Sequence, residues 1–221
     1  PDNRDIRTVS SDELPEFDVL TGGFPCQSFS IVAQNPKRLG IKDEKGMLFF
    51  EMCRILRERQ PKCFIAENVK GIMTANKREA FPLIIKEFED SGYDVKYTVL
   101  NSATFGVPQK RERVIIVGFR KDLNINFEFP ETVISEENDY VALQNCIEDD
   151  VEEKYFFSER AVAGMMKNRK SMNKGRAQDV TKPCNTVGAH LAKVSLNSTD
   201  PVLFTEGRYR RFTPREVARI Q

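Results

Sequence analysis

An α/β fold with a parallel sheet and a second, smaller domain is what this sequence predicts, on three observations. Between residues 17 and 119, short apolar runs alternate with amphipathic helical patterns, the rhythm of strand–helix–strand units. The first run, Phe17-Asp18-Val19-Leu20, stops at the paired glycines Gly22-Gly23, as a buried strand does where the chain turns sharply. From Phe129 to about Gly207 the rhythm ends, turn residues multiply, and charge separates into an acidic and a basic stretch.

In chain order, Ser10-Ser11-Asp12-Glu13 carries helix-capping residues and predicts a short helical turn before the first strand. After that strand, Pro25 fixes its own φ and biases Phe24 toward an extended shape, which stiffens the loop around Cys26. A thiol on a stiff loop past a strand end suits covalent chemistry. The loop alone reads equally well as a small buried apolar cysteine. Residues 34–46 are polar and turn-rich, a long loop of the kind that often serves as a lid. Residues 47–59 place apolar side chains at 48, 49, 52, 55 and 56, an amphipathic helix. Residues 63–66 form a buried strand that runs into Glu67-Asn68-Val69-Lys70-Gly71, and residues 79–90 repeat the helical pattern up to Ser91-Gly92. Residues 93–100 alternate as a strand does, and residues 114–119 are another buried strand. Ligand sites of a parallel α/β sheet lie at the carboxyl ends of its strands, which puts Cys26 and Glu67 on one functional edge.

The composition, 40% hydrophobic and 30% charged over 221 residues, is that of an ordinary globular protein. No apolar run approaches the roughly 18 residues that span a bilayer, and residues 1–7 carry no signal-peptide pattern, so no membrane and a cytoplasmic setting are expected. The cysteines at 26, 53, 63, 146 and 184 are odd in number and never spaced as CxxC, which argues against a disulfide framework or a zinc knuckle. His190 is the single histidine, so Cys–His hydrolysis and a His-rich metal site are both disfavoured. The net charge of +1 hides an acidic stretch (Glu136 to Glu153) and a basic one containing Arg160, Lys167, Arg169, Lys170, Lys174 and Arg176. Charge runs are usually solvated surface; this basic one also suits a phosphate backbone.

Four groups carry chemistry: Pro25-Cys26-Gln27, Glu67-Asn68-Val69, Gln109-Lys110-Arg111-Glu112-Arg113, and Arg211-Phe212-Thr213-Pro214-Arg215-Glu216-Val217-Ala218-Arg219. Singly, Glu67 reads as a strand-end carboxylate in water and Arg111 as a surface charge. Together, in this order and spacing, they resemble the C5-cytosine DNA methyltransferases, over nearly the whole α/β part and the last dozen residues. Between residues 130 and 205 the resemblance rests on position and on Thr186-Val187.

The resemblance implies a Rossmann-like, S-adenosylmethionine-dependent methyltransferase sheet with a smaller DNA-recognition domain. It implies boundaries of 1–129 for the catalytic α/β domain, 130–207 for target recognition, and 208–221 for a motif that braces the recognition domain. It implies a bacterial restriction-modification enzyme acting on double-stranded DNA. Cys26 matches the nucleophile that adds to C6 of a flipped cytosine, and Glu67 the carboxylate that holds N3 and the exocyclic amine. Arg111 matches the arginine at the pyrimidine O2, while Arg113 and Gln109 brace its loop. Asp5 matches the carboxylate on the cofactor's adenine amine, with Phe24 and Pro25 on the cofactor's other side. Ser30 matches a phosphate contact and Thr186 another beside the recognition segment. Gln109, Arg169, Lys170 and Arg176 complete the expected DNA-binding set, and no metal is implied.

The sequence departs from the family pattern in lacking a Phe-x-Gly-x-Gly cofactor loop and the Gly-Asn segment after the C-terminal motif. The expectation is a chain that starts after the third strand and stops inside the ninth conserved block. A second chain or further segments would then supply the glycine-rich loop, and a sheet without its first strands leaves a strand edge unpaired. Two alternatives stand beside the DNA enzyme: a transfer-RNA cytosine-5 methyltransferase of the same fold, and a non-catalytic DNA-binding or regulatory relative. The long insert at 130–205 favours DNA, and the intact Cys26, Glu67 and Arg111 favour catalysis.

Overall fold

In the computed structural model, residues 3–25, 47–166, 177–188, 191 and 201–221 are described. The elements in chain order are β1 (Val19–Gly22), α1 (Met47–Arg59), β2 (Cys63–Val69), α2 (Ala80–Asp90), β3 (Tyr93–Asn101), β4 (Gln109–Lys110) and β5 (Glu112–Arg120). They continue with α3 (Glu159–Met166), β6 (Cys184–Asn185), β7 (Leu203–Thr205), β8 (Arg208–Arg210) and α4 (Pro214–Ile220). The chain divides into one unit of residues 1–100 and 112–130 and another of residues 101–111 and 131–221. The sequence reading cut the chain at 129 and set 208–221 apart; here residues 208–221 and the stretch 101–111 both fall in the second unit.

The first unit is a sheet of order β1-β2-β5-β3. β1 runs parallel to β2, pairing Leu20 with Phe64 and Gly22 with Ala66. β5 runs antiparallel to β2, so the sheet is mixed and the expectation of an all-parallel sheet is corrected. Residues 102–111 separate β3 from its neighbour β5, fewer than the dozen or more residues a parallel crossover needs, which accounts for the reversed direction. β1 is an edge strand among the described residues.

One face of this sheet is the core. On α1, Phe49, Met52, Cys53 and Leu56 recur at helical spacing and are buried, as are Ala80, Phe81, Ile84 and Phe88 of α2. They cover Phe64 and Ala66 of β2 and Val114 and Ile116 of β5. Phe64 stacks 4.5 Å from Phe88, and Tyr93 closes the layer by donating its hydroxyl to the Pro61 carbonyl at 2.8 Å. Phe64 also lies over its register partner Gly118, where an added Cβ would come within 2.1 Å of the ring; that contact makes glycine obligatory in an otherwise β-branched strand. The opposite face is more open: Val19, Ile65 and Val69 are exposed, while Phe127 folds back beside Phe119 and Phe129 packs on Phe127.

The second unit packs Leu143, Cys146, Cys184, Val187, Leu203, Phe212 and Ile220 into its own core. α4 begins with a complete capping box: Thr213 accepts from the Glu216 amide, Glu216 accepts from the Thr213 amide, and Pro214 occupies the first turn. Glu216 is fully buried, and two oxygens receive the Arg210 guanidinium at 2.7 and 2.9 Å. Burial pushes the Glu216 carboxyl up, but the Arg210 hydrogen bonds, the Glu148 and Thr213 amides and the Arg210 charge outweigh it and leave it below the ordinary glutamate range.

Candidate active site

β1 ends at Gly22 and hands the chain to Gly23, Phe24 and Pro25; Cys26 and Ser30 lie outside the described residues, as do Arg169, Lys170 and Arg176. Phe24 is 6% exposed, with its ring 5.0 Å from Phe49 and 6.4 Å from Phe88. Its carbonyl accepts from the side-chain amide of Asn68 at 2.8 Å, and Asn68 in turn accepts from the Val69 amide at 2.9 Å. The strand carrying Glu67 is therefore fastened to the backbone two residues before Cys26. Sequence reasoning named the Glu-Asn-Val group and gave Asn68 no role of its own. The available signal was an amide at alternate spacing from Phe64 and Ala66, on the apolar face of the strand, where it is buried only when hydrogen-bonded.

Glu67 projects from the sheet face opposite the core, beside Ile115 in the ladder. Arg113 stands opposite Val69, two positions along the same face, and its Nε meets Glu67 Oε1 at 2.7 Å. Diagonal neighbours on one face of an antiparallel pair are within reach of long side chains. The carboxylate also lies against the chain that leads to Cys26, since a Cβ placed on Gly23 would be 3.7 Å from Glu67 Oε2. Glu67 keeps 42% of its side chain exposed and Arg113 19%, so the carboxylate is oriented without being closed off. Lys70 and Glu112 form a second ion pair next to it at 2.8 Å.

Asp5 caps the 3-10 turn Ile6–Thr8 and accepts from the Arg7 amide and guanidinium. Hydrogen bonding from the Arg7 side chain, then from its amide, pulls the Asp5 carboxyl down to about 2, so it is an anion throughout the neutral range. Arg54 of α1 fixes that turn by donating to the Val9 and Ile6 carbonyls at 3.0 and 3.3 Å. Both carboxylate oxygens are engaged by Arg7, the pair stays exposed, and Pro25 is half-buried. The Phe24 ring does not fit as expected: it is committed to the core, which leaves only its backbone to a ligand.

In the second unit, Arg111 is held by its backbone, donating its amide to Asn101 Oδ1 at 3.2 Å and accepting from the Ser102 amide at 3.1 Å. Thr186 is exposed and donates its hydroxyl to the Lys110 carbonyl at 2.8 Å. Gln109, expected among the DNA contacts, is 2% exposed with both ends of its amide on backbone partners, so the structure corrects it to an internal brace. The described cysteines sit in apolar surroundings that raise their thiols: burial pushes Cys53 and Cys184 up to about 12, and Cys63 and Cys146 upward as well. No group of three or more metal-ligating side chains is present among the described residues.

The family described as C-5 cytosine-specific DNA methylase matches residues 1–221. The chain is 39% identical over 251 residues to the Type II methyltransferase M.FnuDI of Fusobacterium nucleatum, covering 99% of this chain and 70% of that one. It is 35% identical over 227 residues to the Type II methyltransferase M1.ScrFI of Lactococcus lactis subsp. cremoris, covering 98% of this chain and 56% of that one. In fold it is similar to the Dnmt2 methyltransferase of S. pombe, with a TM-score of 0.74 at 17% identity, over 99% of this chain and 71% of that one. The match runs the length of the chain, and the chain belongs to the C-5 cytosine-specific DNA methylases.

Proposed function

We propose that the protein transfers a methyl group to C5 of cytosine in double-stranded DNA, as the modification enzyme of a bacterial restriction-modification system. The observation that carries this reading is the Glu67 carboxylate, held by Arg113 at 2.7 Å and lying against Gly23, three residues before Cys26. The family and its Type II relatives support the DNA substrate.

C5 of cytosine is a weak nucleophile. Addition of the Cys26 thiolate to C6 would give C5 enamine character, with Glu67 holding N3 and the exocyclic amine so that charge developing in the ring is matched. Arg113 keeps the carboxylate aimed, and Arg111 would support O2. Once C5 has been substituted, loss of its proton expels the thiolate and restores the aromatic ring. The target carbon is inaccessible inside a duplex, so the base must be flipped out. Ser30 would hold a backbone phosphate during flipping, Thr186 would do so by turning its hydroxyl from the Lys110 carbonyl, and Arg169, Lys170 and Arg176 would add sequence-independent attraction. S-adenosylmethionine, when bound, supplies an electrophilic methyl group; Asp5 would accept from its adenine amine and Pro25 would line its other side.

The test is bisulfite sequencing of unmethylated plasmid DNA after incubation with the full-length protein and S-adenosylmethionine. Protected cytosines at one short motif, absent with Cys26→Ser, are expected. Complete conversion with the folded wild-type protein would overturn the reading.

A further inference from the structure

The buried amide of Gln109 has a role that its expected place among DNA contacts does not explain. Its Oε1 accepts from the Val187 amide at 3.2 Å, and its Nε2 donates to the Ile220 carbonyl at 3.3 Å. Only a side chain ending in one acceptor and one donor satisfies an N–H and a C=O together, so the partners fix both the residue type and the direction of the amide. A glutamate would offer acceptors to both, and a leucine would leave two buried backbone groups unpaired.

The surrounding backbone is organised about the same point. β4 pairs in parallel with β6, matching Gln109 with Cys184 and Lys110 with Asn185. The Cys184 amide donates to the Pro108 carbonyl at 2.9 Å, and the Thr186 hydroxyl donates to the Lys110 carbonyl at 2.8 Å. On its other side, the Gln109 carbonyl accepts from the Ser102 hydroxyl at 2.6 Å, and Arg111 is fastened to Asn101 and Ser102. Residues 184–187 are thus sewn to residues 108–110 from one side while residues 101–102 hold Gln109 and Arg111 from the other. The Gln109 side chain is the link that also reaches α4.

We infer that Gln109 is a positioning residue: its amide locks the Thr186-Val187 backbone in register with the segment that carries Arg111, and so ties placement of the DNA-reading segment to the catalytic loop. The inference rests on the proposed function for its consequence and on geometry alone for the clasp. Without the lock, Thr186 is free to shift against Lys110, and DNA is held less accurately before chemistry starts. Loss then appears in KM for DNA and in sequence discrimination more than in kcat.

Two variants of the full-length protein test it. Gln109→Leu removes both hydrogen bonds; Gln109→Glu keeps an acceptor for Val187 and loses the donor for Ile220, and it carries the test if the leucine variant does not fold. Hydrogen exchange reads the Val187 amide, and bisulfite sequencing of unmethylated plasmid DNA reads methylation at motif sites against sites one base pair different. For Gln109→Leu the expected results are Val187 exchange faster by about tenfold and off-motif methylation raised by a similar factor, the worth of one net hydrogen bond. Gln109→Glu is expected to raise off-motif methylation by less, with the Val187 amide partly protected. Unchanged Val187 exchange in a folded leucine variant would overturn the clasp. Faster exchange with KM and discrimination within twofold of wild type would overturn the positioning role. If the wild-type protein methylates no cytosine, the proposed function fails, and the exchange comparison still decides whether the clasp exists.

Discussion

The side-chain amide of Asn68 donates to the carbonyl of Phe24 at 2.8 Å while its oxygen accepts from the Val69 amide at 2.9 Å. One buried residue therefore joins the strand of Glu67 to the loop that leads to Cys26, just past the last β1–β2 ladder pair, Gly22 with Ala66.

Asn68→Ala removes both hydrogen bonds beside the core, and a buried group left unpaired costs about 1–3 kcal/mol. Stability should fall by at least about 1 kcal/mol, and turnover by roughly a hundredfold, because small misplacements of reacting groups cost that much. Denaturant midpoints and initial rates of the full-length variant check both. Normal turnover would show that the loop is placed by something else.

The Glu67–Arg113 pair gives a second expectation. Glu67→Gln should cost about 10²–10⁴-fold in turnover, the range for a positioned carboxylate, and Arg113→Ala should cost less because the carboxylate remains. The double variant should be no worse than Glu67→Gln alone, as for residues acting as one unit. Steady-state rates on plasmid DNA make the comparison; additive losses would show that the two act separately.

Glu216 predicts an acid-sensitive second unit. Its folded carboxyl lies below the reference value of 4.5, so the unfolded chain takes up the proton first as pH drops. The stability it contributes is fully present above 4.5 and is lost as pH falls through the folded value. Glu216→Gln leaves the buried Arg210 charge uncompensated, a loss of about 3–5 kcal/mol at pH 7. Urea unfolding at pH 7 and at pH 3.5 should show the gap between wild type and variant narrowing in acid. A gap that stays constant would remove the ion pair from the account.

Thiol chemistry offers a third kind of check. At pH 8 a thiol pushed up to about 12, as for Cys53 and Cys184, is thiolate only on the order of one part in 10⁴. Iodoacetamide on the native protein should alkylate Cys26 well before either of them, as mapped by peptide mass. Equal rates at Cys26 and Cys53 would argue against an activated nucleophile.

Much of this was legible in the sequence because periodicity and turn chemistry are local. The helix at residues 47–59 and the strand starting at Tyr93 follow from apolar spacing alone, and Ser91-Gly92 closes α2 with Gly92 at φ 102°. The direction of β5 was not legible, because alternation records which face is buried and says nothing of strand polarity. Nor was the location of Phe24 or Gln109, since a ring and an amide beside a functional loop read the same whether they face a ligand or a backbone. Glu67 and Arg113 were legible as types; their diagonal contact needed the register of β2 on β5.

The central claim, covalent attack by Cys26 on cytosine C6, is tested most directly by trapping. The full-length protein is incubated with S-adenosylmethionine and a duplex in which 5-fluorocytosine replaces cytosine. Fluorine at C5 cannot leave as a proton does, so the thiolate is not expelled and the adduct persists. After digestion, mass spectrometry should find the peptide containing Cys26 carrying one methylated fluorocytosine nucleotide, and no such peptide with Cys26→Ser. An adduct on another cysteine, or none from folded protein that binds the duplex, would contradict the account.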